Sequence, residues 1–170
     1  MATPETEAIA RMLCGHLRQL AGNARQIPLE KFDWTYAPPA PTPRTLVTHA
    51  WQWLVCDRQH IENPDASLHP RVPEPPADQQ ALCDTLDAET ARWEQIILAL
   101  TPEQLDEKRH QFNDTEWDWS VRGILHHMYQ NCVYKNGQLS TIYFALGLDG
   151  DAPYDAPFPN PIYSEIFGEK

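Results

Sequence analysis

Apolar positions recur along this 170-residue chain at three- and four-residue intervals in four long stretches, the spacing that lines one side of an α-helix. Thr3-Pro4 supplies a cap and a first-turn proline, and Ala8, Ile9, Met12, Leu13, Leu17, Leu20 and Ala21 follow, predicting a helix from about 4 to 24. Thr42-Pro43 repeats that signature. Leu46, Ala50, Trp53, Leu54 and Ile61 give a second buried face, flanked by His49 and His60 and ending before Asn63-Pro64. Leu82, Leu86, Trp93, Ile96, Ile97 and Leu100 predict a third helix over about 77–100. The fourth is capped by Ser120 and runs to Ala145 or Leu146, where Gly147 suits a helix end.

Between these stretches the pattern breaks. Residues 27–43 mix Phe32, Trp34 and Tyr36 with Pro38, Pro39, Pro41 and Pro43, which fits an ordered, aromatic-anchored connection over an end of the helices. Prolines also preclude a helix between Asn63 and Pro76, Thr101-Pro102-Glu103 starts a short turn, and residues 106–119 read as a loop or weak hairpin. With no convincing alternation of apolar and polar residues, the class is all-α: a four-helix bundle over residues 1–147 with long connections that imply crossovers or end-caps. Residues 148–170, rich in proline and aromatics, are expected as a tail packing on the bundle or on a partner subunit.

Length and a 42% hydrophobic content fit one domain with a sizeable core. No run approaches the roughly 20 apolar residues that cross a bilayer, and no signal peptide is visible, so a cytoplasmic protein is expected. Cys14, Cys56, Cys83 and Cys132 are widely spaced and read as buried reduced thiols. The net charge of -11 is uneven, with 6 Lys/Arg against 16 Asp/Glu beyond residue 75, which disfavours nucleic acid as a partner.

The candidate chemistry sits in the last helix. Val121, Ile124, Leu125, Met128, Cys132, Leu139, Ile142, Tyr143 and Leu146 form one apolar stripe, Lys135 falls inside it, and His127, Asn131 and Gln138 line its edge. A buried ammonium needs a carboxylate, a wet cavity, a lowered pKa or a way out along its own stem, and such snorkelling is the plainest option. Asp57 lies in the second helix's stripe. It stands eight residues, or about 12 Å, from His49, so a Lys135–Asp57 pair is not expected if Lys135 is level with His49.

The segments Thr48-His49-Ala50-Trp51 and Leu125-His126-His127-Met128-Tyr129-Gln130-Asn131-Cys132-Val133-Tyr134-Lys135-Asn136-Gly137-Gln138 resemble the DinB superfamily. That resemblance, which spans roughly residues 4–147, implies a DinB-like four-helix bundle of a metalloenzyme family. In metal-binding members a helix-two His and two last-helix residues four apart hold zinc or nickel. His49 keeps the first position, but the other two fall on Asn131 and Lys135, a weak neutral oxygen and a cation. His127, one turn earlier, would move the ion and leave two strong ligands.

Two function classes follow. The first is metal-independent small-molecule binding, or a scaffold role, with a pocket of His49, His127, Asn131, Tyr134, Lys135 and Gln138 and no cofactor. The alternative, implied by the resemblance, is a divalent-metal-dependent hydrolase or a thiol-dependent transferase or isomerase, with His49 and His127 the only imidazoles available as ligands. A homodimer formed through helix faces is expected from the family, with Trp51 read as lying on the outer side of helix two.

Overall fold

The computed structural model describes residues 2–65, 70–110 and 118–148; the tail expected over 148–170 therefore lies outside the described residues, apart from Leu148. Helix α1 spans Pro4–Gln26, α2 Pro43–Glu62, α3 Gln79–Ala99, α4 Pro102–Asp106 and α5 Val121–Ala145. Three starts use the same chemistry: Thr3, Thr42 and Thr101 each accept from the backbone N–H three residues on, with proline in the first turn. Ser120 caps α5 by accepting from Gly123 N–H. At its other end Gly147 adopts φ 66°, and the N–H groups of Gly147 and Leu148 bond Phe144 O and Tyr143 O. This Schellman arrangement needs a left-handed residue, which glycine adopts without steric penalty.

The bundle is not a simple up-and-down one. Gln79 Nε2 donates to Ala24 O and Ile27 O, so α3 begins where α1 ends and runs back along it. Helix α2 runs the same way as α3. Arg44 reaches Ala77 O near both starts, and beyond the middle of α2 Trp93 Nε1 donates to Leu54 O and Arg58 bonds Glu89. Helix α5 returns parallel to α1, with Arg122 on Glu5, Asn136 on His16 O and the Tyr143 hydroxyl on Asn23 O. Two parallel neighbours need a connection as long as the bundle, and the proline-rich sequence between α2 and α3 is the crossover that supplies it.

That crossover lies against α2, where Gln52 Nε2 donates to Pro73 O at 3.0 Å. The 27–42 connection is anchored as expected, by Phe32 and by the half-buried Trp34, while Tyr36 is exposed; Phe32 is fully buried under the Arg44 guanidinium, 4.9 Å above its ring. The weak hairpin is present as a short antiparallel pair, β1 (Lys108–His110) and β2 (Asp118–Ser120), with Arg109 opposite Trp119. It delivers the chain to the α5 cap.

One expectation is corrected. Trp51 is only 9% exposed and belongs to the core. It lies seven residues, two turns, before Arg58 on the same face of α2, and Arg58 bonds Glu89 of α3, so α3 covers that face. Trp51 is not available for a partner subunit.

Candidate functional site

The stripe read from α5 is buried as expected, and Lys135 is buried with it, at 3% exposure. It does not snorkel. A helical side chain leans towards the N-terminus of its helix, which brings the Lys135 ammonium back one turn, where Nζ donates to Asn131 Oδ1. Asn131 is half-buried and so accessible to that bond.

Helices α2 and α5 run antiparallel, and this sets the facing residues. His49 and Trp53, one turn apart on α2, stand opposite the turn of α5 that carries His127 and the Lys135 ammonium. The Trp53 indole N–H donates to His49 Nε2. Indole nitrogen can only donate, so His49 Nε2 carries the lone pair and its proton sits on Nδ1. The Trp53 ring also meets His127 edge-on, with centroids 6.5 Å apart, and Trp119 from β2 closes on the other side of His127 at 5.2 Å. His127 Nδ1 is buried and has no hydrogen-bond partner.

Charge in this cluster is scarce. Burial holds the histidine pKa values of His49 and His127 below the ordinary range, and the positive charge of Lys135 lowers both further. Burial also lowers the Lys135 pKa, against a small opposing effect of Cys132. Among the described residues no carboxylate forms an ion pair with Lys135. Asp57 does not reach it: its own carboxyl is buried at 1% exposure without a hydrogen-bond partner, and burial pushes its pKa up to about 7. The cluster thus sets one lysine beside two imidazoles whose protonation is disfavoured by burial and by that lysine's positive charge.

The other expected site residues separate. Tyr134 is 66% exposed, and Gln138 is half-buried and makes no hydrogen bond to the cluster. His126 is exposed, while His60 is buried further along α2. Trp53 and Trp119 enter the site unexpectedly. Trp53 had been read as core, yet its four-residue spacing from His49 was a visible signal for the pair; nothing local in the sequence ties Trp119 to His127.

A cleft of about 170 Å³ opens beside the seam, lined by His49, Gln52, Trp53, Cys56 and Val72. His49 and Trp53 belong to both cleft and cluster. The chain superposes on the crystal structure of a DinB-like protein of Bacillus subtilis, YjoA, with a TM-score of 0.68 over 84% of this chain and 94% of that one. The fold is DinB-like. At 18% sequence identity the likeness carries the architecture alone. No family model matches the sequence, and no curated protein does.

The residues present do not fit the ion of a metal-binding DinB-like protein. Of the three corresponding positions, Lys135 supplies a cation, Asn131 already accepts from that cation, and His49 has its lone pair committed to Trp53. Among the described residues no three His, Cys, Asp or Glu side chains cluster as metal ligands.

Proposed function

We propose that this DinB-like protein binds a small anion, without a metal, at Lys135. The observation that carries the reading is a lysine only 3% exposed whose ammonium has one neutral acceptor, Asn131, and no carboxylate on it among the described residues. Burying a charge in this way costs several kcal/mol unless something compensates, and an anionic ligand is the compensation the site lacks. Two of the three ammonium N–H groups have no acceptor among the described residues, and the neutral His127 imidazole can turn an N–H or a lone pair to a ligand. The resemblance puts a metal ligand at Lys135, so in this reading the lysine itself supplies the positive charge that metal-binding members take from the ion.

The reading is tested by thermal shift at low chloride with acetate and inorganic phosphate as probes. Wild type should gain stability with at least one of them, and Lys135→Met should lose the response while remaining folded. A response unchanged in Lys135→Met would overturn it. Zinc and nickel titration of wild type and His49→Ala tests the metal-dependent alternative: stoichiometric binding lost with His49 would replace the anion reading by that one.

A further inference from the structure

Helix α1 has one side that faces none of the described helices. It meets α3 through Cys14, whose thiol donates to Thr90 O, and through Arg18 on Glu94 and Arg25 on Asp84 and Asp87. It meets α5 on the side of His16, whose ring lies 5.5 Å from that of Tyr129, and α2 stands diagonally across the core. At about 100° per residue, Gly15, Gln19 and Gly22 fall on the remaining arc, which points away from the buried Leu13, Leu17 and Leu20. Residues on such an arc should be open to solvent. Gln19 is nevertheless only 6% exposed, and Gly22 is buried.

The neighbouring flank of α5 has the composition of an interface. Between Gly123 and Leu148 the only Asp, Glu, Lys or Arg is Lys135, which is buried, in a chain where such residues make up 22%. What α5 shows to solvent on this side is His126, Gln130, Val133, Gly137 and Phe144, with Val133 40% and Phe144 57% exposed. Absence of charge together with exposed apolar and aromatic side chains marks a surface that another segment covers. The flank leads to a cavity of about 280 Å³ between α1 and α5, lined by Ile9, Met12, Leu125, His126, Tyr129 and Gln130.

The length and direction of the chain beyond α5 name the occupant. Gly147 at φ 66° and the Leu148 N–H bonded back to Tyr143 O turn the chain off the helix axis, and Leu148 packs against the core, so the chain leaves α5 beside the bundle. From there the cavity residues Leu125–Gln130 lie about 27–35 Å back along α5. A proline-rich segment rises about 3.1 Å per residue, so Phe158, ten residues beyond Leu148 and held between Pro157 and Pro159, reaches the cavity after about 31 Å. Tyr154 then falls near the level of Gly137, where an added Cβ would meet nothing within 4 Å. Gln19 and Gly22 are withdrawn from solvent within a single chain, which favours a segment of this chain over a second copy. Residues 66–69 and 111–117 are tied by their flanks to the crossover on α2 and to the start of α5, far from Gly22 near the end of α1.

We propose that residues 149–170 run back along the bundle as a strap over Gly15, Gln19 and Gly22 of α1 and the uncharged flank of α5, with the Phe158 ring in the cavity beside Met12 and Tyr129. The prolines stiffen the segment, so docking it costs less conformational entropy than docking a flexible one. The strap is independent of the anion reading.

Peroxide oxidation of methionine, followed by mass spectrometry on the full chain, tests the proposal, because Met12 lines the cavity and its sulfur oxidises once uncovered. Phe158→Asp should raise the Met12 rate about fivefold or more, while Met128, 1% exposed, stays slow in both proteins and reports an intact core. Phe158→Leu, still apolar, should keep most of the protection. The wild-type Met12 rate should not change on dilution of the protein. An equal Met12 rate in wild type and Phe158→Asp would overturn the strap, and so would protection lost on dilution, which would assign the face to a second copy.

Discussion

Lys135 and Asp57 are both charged residue types buried in the bundle without an opposite charge, and they differ in how they escape the cost. Asp57 can take up a proton: with both oxygens unpartnered and its pKa pushed to about 7 by burial, it is largely neutral in mildly acidic solution. Its ionisation then destabilises the fold, so Asp57→Asn should gain stability over wild type at pH 8 by a few kcal/mol at most and gain little at pH 5. Denaturant unfolding at the two pH values measures this, and an equal effect at both would mean that Asp57 is not the buried acid it looks. Lys135 can only lose a proton, which burial makes easier by lowering its pKa, and its ammonium keeps one neutral acceptor. Replacing it by methionine, close in length and apolar, should raise stability by about 1–3 kcal/mol while removing the anion response, the pattern of a residue kept for binding at the expense of the fold. Loss of stability in Lys135→Met would instead make the lysine a structural anchor.

Helix starts and faces were the legible part of the sequence, because each is written within a few residues. Thr-Pro at 3, 42 and 101 announced three caps that the structure forms, and the α5 stripe from Val121 to Tyr143 is buried as the spacing implies. Thr42 matters most for the site, since it fixes the start of the helix that presents His49 two turns on. Thr42→Ala should cost about 1 kcal/mol in denaturant unfolding by leaving the backbone N–H of Thr45 without its acceptor. Relations between helices were less legible. Trp51 was placed outside because one helix read alone has one buried arc; lying between α3 and α5 widens that arc to include the face that Trp51 shares with Arg58. The site was legible to the same extent: His49, His127, Asn131 and Lys135 follow from helical spacing and register, whereas Trp119 joins them only because the β1–β2 pair folds it back over α5. Whether Lys135 would snorkel or stay inside depended on Asn131 lying one turn behind it, a contact that spacing permits but does not require.

At the scale of the whole molecule, the buried titratable groups pull stability in opposite directions with pH, and the balance can be located. Asp57 binds its proton more tightly folded than unfolded, so between roughly pH 4 and pH 7 it makes stability fall as pH rises, and above that window its effect is constant. His16, His49 and His127 do the reverse. Burial depresses all three below the ordinary 6.5, with Lys135 adding to the effect at His49 and His127 and the Gln19 hydrogen bond partly opposing it at His16. The unfolded chain therefore takes up protons that the folded one refuses as pH falls through 6.5, and stability is lost on acidification. The three histidines act together against the single Asp57, so the melting temperature should be lower at pH 5 than at pH 7 and change little between pH 7 and 8, where the Asp57 effect is constant. Differential scanning calorimetry from pH 5 to 8 at constant ionic strength reads this directly. Asp57→Asn should steepen the acid limb by removing the opposing contribution between about pH 4 and 7, whereas His49→Gln should shallow it. A melting temperature that rises steadily from pH 8 down to pH 5 would show that relief of the -11 net charge, and not the buried groups, governs stability in this range.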